Sequence, residues 1–194
     1  MTSRKRLSRG DWVEAGFQAL MASGPDAVAV EPLAARLKVT KGSGYWHFAD
    51  RAALLTAVLD EWVQRLTVDV VAQVEAAGGP ARQRMARLLT LVTDGVEHSP
   101  TELLVTVSPD PLVRAAVERA LGLRLAYLQH LVEESGQKPA EARARAVLAY
   151  SAYLGHATLL ATAPSVLPQG AAVRRRMRAA LLELAVPAVP AVTP

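Results

Sequence analysis

Between residues 40 and 51 the chain sets out six side chains that donate hydrogen bonds: Thr40, Lys41, Ser43, Tyr45, His47 and Arg51. Donors of this kind suit phosphate oxygens and base edges, and Gly42 among them lets a backbone approach a duplex closely. Trp46 adds a flat apolar surface to the same run. The set is equipped for binding and not for bond-making. No second His, Asp or Glu shares the short helix with His47 at ligand spacing, so no metal site is expected there.

The charge follows the same segment. The chain has 194 residues and a net charge of +4. Its first 51 residues carry eight Lys/Arg against five Asp/Glu, leaving a nearly neutral remainder. Four of the eight, Arg4, Lys5, Arg6 and Arg9, form a leading basic segment suited to salt-sensitive phosphate contacts.

Composition excludes several classes. With no Cys there is no disulfide scaffold, thiolate metal site or cysteine nucleophile. At 51% hydrophobic the chain has enough apolar mass for a packed core. Gly10, Asp11 and Glu14 interrupt any signal-like apolar run after the basic start. The most apolar stretch, 147–163, contains Ser151 and His156, so no membrane span is expected and the protein reads as cytoplasmic. Phosphate-loop, dinucleotide, nucleophile-elbow and zinc-helix motifs are missing. The expectation is a protein that is not an enzyme and has no cofactor and no metal. His98, His130 and His156 are scattered, and Glu133-Glu134 reads as a solvated helix end.

The elements that must hold the donors are helical. Ser8-Arg9-Gly10-Asp11 reads as a capping box, followed by Val13, Phe17, Leu20 and Met21 on one face until Ser23-Gly24-Pro25. A short helix is expected over Glu31 to Leu37, and a third, capped by Thr40, runs to about Phe48. Asp50 caps a long fourth helix to about Ala77, with Leu54, Val58, Trp62 and Leu66 at fourfold spacing. Beyond Gly78-Gly79-Pro80 come helices over Pro80 to Glu97, Thr101 to Val107, Val113 to about Ser135, Pro139 to Ala163 and Gly170 to Val186. The fold class is all-α with about nine helices. A helix-turn-helix domain (1–50) precedes a larger helical domain (51–186) and an extended Pro-rich tail (187–194). The tight connection Lys38-Val39-Thr40 is that of a helix-turn-helix, whose second helix enters the major groove.

The run from Leu33 to Leu55, with Tyr45-Trp46-His47-Phe48 before Asp50-Arg51, resembles the N-terminal domain of the tetracycline-repressor (TetR) family over about residues 8 to 60. The resemblance implies a ligand-responsive homodimeric repressor that binds a palindromic double-stranded DNA operator. An activator, or a regulator without a small-molecule ligand, is the alternative. It implies a recognition helix from Thr40 to His47 in which Lys41, Gly42 and Ser43 face the groove and adjacent backbone, Tyr45, His47 and Arg51 hold phosphates, and Trp46 lies near backbone or base methyls. Leu33, Ala34, Leu37, Val39 and Phe48 would be small-domain core. Gly44 stands where the family usually has an apolar residue. With Gly42 it weakens the helix by roughly 1 kcal/mol per Gly relative to Ala, which predicts a recognition helix partly disordered without DNA. Val30 stands where a Ser or Thr cap is common, and Glu31 where a base-contacting residue often sits.

For the larger domain the resemblance implies an effector pocket. Trp62, Met85, Leu89, Leu103, Tyr127, Tyr150 and His156 would supply its apolar walls and polar groups. Ala142, Ala146, Ala149, Ala152 or Tyr153, and Gly155 supply small groups at helical spacing on one helix. With Val173, Met177, Leu181 and Leu184 of the last helix these are the expected dimer surface.

Overall fold

The computed structural model describes residues 7–94, 108–168 and 170–187, and among them every regular element is a helix. The number of helices is close to the nine expected. The expected helix at Thr101–Val107, with Leu103, and His98, Arg4, Lys5, Arg6 and residues 188–194 lie outside the described residues.

The chain forms two compact units, Met1–Leu66 with Ser99–Ala120 and Thr67–His98 with Leu121–Pro194. In the first, α1 (Arg9–Ser23) starts from the expected capping box. Ser8 Oγ accepts from the Asp11 N–H at 3.2 Å, and Asp11 Oδ2 accepts from the Ser8 N–H at 2.7 Å. Gly24, at φ 83°, ends the helix. Helices α2 (Val30–Leu37) and α3 (Lys41–Tyr45) follow, and α4 (Arg51–Val63) opens on Asp50, whose Oδ1 accepts from the Ala53 N–H at 2.8 Å. Trp12, Leu20, Leu33, Leu54, Leu55, Val58 and Leu59 form its buried centre. Gly16 of α1 faces Val58 of α4 so closely that a Cβ would collide with Val58 Cγ2, which lets the two helices approach.

α4 passes through a π-helical turn, Gln64–Val68, into α5 (Asp69–Ala76), matching the single long helix expected to Ala77. Arg65 in that turn ties back to α1. It donates to Glu14 and Glu61, both at 2.5 Å, and lies 4.6 Å from the Phe17 ring centre. The Arg65 bond, and after it one from Gln18, hold the Glu14 carboxyl below the ordinary carboxylate value.

The second unit contains α6 (Ala81–Asp94), α8 (Pro139–Thr162), α9 (Ala171–Ala185) and most of α7 (Pro111–Glu134). Met85, Leu131, Val132, Ala142, Ala146, Leu181 and Ala185 form its core. Ala142, Ala146, Ala149 and Leu181 are therefore used inside one chain, which corrects the expectation that they form a dimer face. Small side chains on α8 let its own neighbours approach. Glu134 is not a merely solvated helix end either: it accepts from Arg84 and lies 3.2 Å from His130 Nε2.

Candidate nucleic-acid interface

The turn between α2 and α3 is made by Lys38 at φ 56°, ψ 42°, the one described non-Gly residue at positive φ. This left-handed residue closes α2: its own N–H and the Val39 N–H return to the carbonyls of Ala35 and Ala34 at 3.2 and 3.0 Å. The chain then enters α3 within three residues. Val30 is the first residue of α2 and not its cap; Ala29 holds the cap position without a side-chain bond, and Val30 is buried. Thr40 stands at the N-cap of α3, but its hydroxyl makes no capping bond, and the Ser43 N–H goes to the Thr40 carbonyl at 3.0 Å.

A five-residue helix has to be oriented by packing, because it is too short to persist on propensity alone. Gly44 supplies the orientation. It is buried, and a Cβ there would lie 2.7 Å from both Trp12 Cη2 and Val30 Cγ1. Trp12, 0% exposed, fills the volume that a larger residue at 44 would take. The glycine is a packing requirement, and α3 is seated on the Trp12 ring.

With Gly44 inward, Lys41, Gly42, Tyr45 and Trp46 turn outward and Ser43 is half-buried. Trp46 is 67% exposed and meets the His47 ring edge-on at 4.7 Å between centres. The Tyr45 hydroxyl donates to Glu31 Oε1 at 3.1 Å, and that bond raises its pKa. The structure thus brings Thr40, Lys41, Gly42, Ser43, Tyr45 and Trp46 onto one short segment.

The other two expected contacts are engaged with the chain itself. His47 Nε2 is 3.0 Å from the Leu7 carbonyl oxygen. Arg51 donates to the Pro25 carbonyl at 3.1 Å and reaches Asp110 Oδ2 at 3.5 Å and Asp26 at 4.0 Å. The guanidinium lies among loop oxygens. Of the expected small core, Leu33, Ala34 and Phe48 are buried and Leu37 and Val39 half-buried. Sequence reasoning missed the pairing of Trp12 with Gly44 and that of Glu31 with Tyr45. An unusual Gly at 44 was the signal for the first; nothing local announced the second.

In the second unit, Met85 and Leu89 belong to the core, and Tyr127 and Tyr150 pack against it. Trp62 is buried in the first unit, and His156 is half-buried outside the core cluster. Arg124 donates to Thr67 Oγ1 and to the Tyr150 hydroxyl, both at 3.0 Å. Arg84 donates to both Glu75 oxygens at 2.8 Å and to Glu134. The Tyr127 hydroxyl adds a bond to Glu75 at 2.5 Å. Burial and then that carboxylate raise the Tyr127 pKa, while the Tyr127 and Arg84 bonds hold Glu75 below the ordinary value. Among the described residues no cluster of three metal-ligating side chains occurs, and no helix is long and apolar enough to cross a membrane.

Comparison with known proteins places this geometry. Residues 13–58 match the family described as "Bacterial regulatory proteins, tetR family". Over 53 residues the chain is 40% identical to the class G tetracycline repressor protein of Vibrio anguillarum, covering 27% of this chain and 25% of that protein. The matched segment thus spans about a quarter of the curated relative's length. Solved structures are similar over nearly the whole chain. Escherichia coli NemR in its reduced form has a TM-score of 0.74 at 17% identity, covering 95% of this chain and 99% of that one. A TetR-family transcriptional regulator from Streptomyces coelicolor has a TM-score of 0.74 at 17% identity, covering 93% and 90%. Bacillus subtilis FadR in complex with stearoyl-CoA has a TM-score of 0.67 at 15% identity, covering 92% and 98%. At these identities the structural likeness is one of fold. The matching residues are those that build α1 to α4 around the exposed donors, and over residues 13–58 the chain carries an N-terminal domain of the tetR family of bacterial regulatory proteins.

Proposed function

We propose that the chain is a ligand-responsive homodimeric repressor of transcription that acts in the cytoplasm on a palindromic operator. The observation that carries the reading is α3: a short helix fixed from below by Trp12 and Gly44, with Lys41, Gly42, Tyr45 and Trp46 exposed. Lys41, Gly42 and Ser43 would approach base edges, with Thr40, Tyr45 and Trp46 on the flanking backbone. Arg51 would act through the loop it holds at Pro25.

Two features support the dimer and the effector. Leu148, Ala152, Gly155 and Leu159 are exposed at helical spacing along α8, and Leu184 of α9 is exposed as well. Arg145 joins these helices by donating to the Leu184 carbonyl at 3.1 Å. An apolar stripe with Ala and Gly at its middle suits close contact with its own copy, giving a four-helix interface. Two copies would then present their α3 helices about 34–36 Å apart, one turn of DNA. Met85, Leu89, Tyr127 and Tyr150 offer apolar walls and hydroxyls for a small molecule, and FadR shows that a protein of this fold holds one. The effector would work through its affinity difference between DNA-competent and incompetent conformers.

Selection of bound duplexes from a random pool tests the reading, and an enriched palindrome is the expected outcome. On that duplex, Tyr45→Ala weakens binding to all sequences alike, whereas Lys41→Ala relaxes preference at one base pair by about 1–3 kcal/mol. Failure to enrich any sequence, with the folded protein confirmed by circular dichroism, would overturn it.

A further inference from the structure

Between Glu141 and Glu183 the chain has no Asp or Glu, but six Arg, at 143, 145, 174, 175, 176 and 178. The near neutrality beyond residue 51 therefore conceals one strongly basic stretch. Arg174, Arg175 and Arg176 are exposed on the first turns of α9, and none forms an ion pair with a described carboxylate. Glu183, the next acid in the chain, is already engaged by Arg82. Arg178 donates to Thr93 Oγ1 at 3.3 Å. The fold gains little from this run. Cations near a helix start oppose its dipole, and Arg174 and Arg178 stand at the i,i+4 spacing where like charges repel. Just before α9 the chain makes a short apolar turn, Pro164–Val166, in which Val166 is 69% exposed. The backbone of this turn is largely closed on itself. The Val166 N–H donates to the Ala163 carbonyl at 3.1 Å and the Leu167 N–H to the Pro164 carbonyl at 3.3 Å, while Pro164 and Pro168 have no N–H.

We infer that this end of the second unit is a docking surface for an anionic lipid bilayer, with Val166 entering the acyl boundary and Arg174, Arg175 and Arg176 meeting lipid phosphates. Four Arg within five residues of one helix, beside an exposed apolar group, form a charge pattern that anionic lipid attracts. Arg174, Arg175 and Arg176 lie within about 8 Å of the start of α9 along its axis and point in directions about 100° apart. A partner with one fixed acidic group meets only part of such a run. A bilayer face acts on all three, because the helix is about 10–12 Å across and charge is screened over about 8–10 Å. Val166 separates a bilayer from a nucleic acid or an acidic peptide. An exposed apolar side chain gains where it leaves water, and a turn whose N–H groups are closed enters an apolar layer at least cost. A second copy presenting the same end brings the same cations against themselves. No helix among the described residues is long and apolar enough to cross a membrane, so the contact is one with the surface.

The test uses the full-length protein without DNA, so its outcome is independent of the operator reading. The probes are vesicles of phosphatidylcholine alone and of an equal mixture of phosphatidylcholine and phosphatidylglycerol, with bound protein read by co-sedimentation across a salt series. The wild type binds the anionic vesicles and not the neutral ones, more weakly as salt rises. Arg174→Gln, Arg175→Gln and Arg176→Gln in one chain lower the partition coefficient about 100-fold. Val166→Ser lowers it about tenfold. Arg36→Gln, Arg114→Gln and Arg143→Gln in one chain remove the same charge from exposed sites elsewhere and keep binding within about twofold. Circular dichroism checks the fold of each variant. No binding to anionic vesicles at low salt would overturn the inference. Equal losses in the two triple variants would overturn it too, by making the binding a matter of net charge alone. Binding by Val166→Ser that matches the wild type would assign the arginines to an acidic protein segment or a nucleic acid, and that also overturns the bilayer.

Discussion

One cation in each unit, Arg84 and Lys41, is held in an opposite way. In the second, Arg84 is 9% exposed and is matched by two oxygens of Glu75 and by Glu134, with Tyr127 bound to the same Glu75. In the first, Lys41 is exposed on α3 and forms no ion pair with any described carboxylate. Two tryptophans of the first unit divide in the same sense: Trp12 is fully buried and Trp46 is 67% exposed. A group that serves the fold is satisfied by neighbours. In the proposed reading Lys41 instead serves an outside partner, and it is left to solvent so that binding does not first have to break an ion pair.

Breaking the support should have the largest effect. Trp12→Ala removes the platform under α3 and should lower unfolding free energy by about 3–5 kcal/mol in urea titrations. Gly44→Ala pushes a methyl into the same ring and should cost about 1–3 kcal/mol. Trp12→Phe deletes the ring atoms that this methyl would strike, and also a buried indole N–H that has no acceptor among the described residues. A chain carrying both Trp12→Phe and Gly44→Ala should therefore be more stable than the two single losses combined, giving a positive coupling in a double-mutant cycle. Additive losses would show that Gly44 and Trp12 do not share one space.

The charge cluster of the second unit gives a smaller effect. Arg84→Ala leaves Glu75 and Glu134 facing each other without their cation and should destabilise by about 1–3 kcal/mol. Arg84→Lys should recover only part of this, because one ammonium cannot reproduce a fork whose Nη1 serves Glu75 and whose Nη2 serves Glu134. DNA affinity per folded molecule should not change with either variant, which separates this cluster from the reading surface.

The smallest effect is a pH dependence. Glu75 is held below its ordinary value of 4.5, first by the Tyr127 bond and then by Arg84. Its ionised form thus stabilises the fold fully above that value, and the contribution is lost as pH falls through the lowered folded value. The gap in melting temperature between wild type and Glu75→Gln should be constant near neutrality and close on acidification below about pH 4.5. A gap that persists in acid would assign the glutamate a packing role.

Most of the helical architecture was legible because its signals are local. Ser8 with Asp11 starts α1, Asp50 starts α4, and Gly24 ends α1 through positive φ. Each depends on residues within one turn. The donor-rich run from Thr40 to His47 was legible for the same reason. Less visible were relations across the chain. The stripe Ala142, Ala146 and Ala149 reads the same whether a helix of this chain or of another copy covers it, and Leu181 and Ala185 were found to share its core. Arg51 and His47 carry the right donors for phosphate, yet in the structure they meet acceptors at Pro25, Asp110 and Leu7.

By itself, then, the sequence determined an all-helical chain with a helix-turn-helix near its start and the residues that could meet DNA, since periodicity, caps and side-chain chemistry act over a few positions. Only the tertiary structure decided which of those residues remain available. That depends on what packs against each one: Trp12 on Gly44, Glu31 on Tyr45 and Leu7 on His47 are pairings between residues 14 to 40 positions apart. Such contacts are set by how helices close on one another, and no window of local sequence contains both partners.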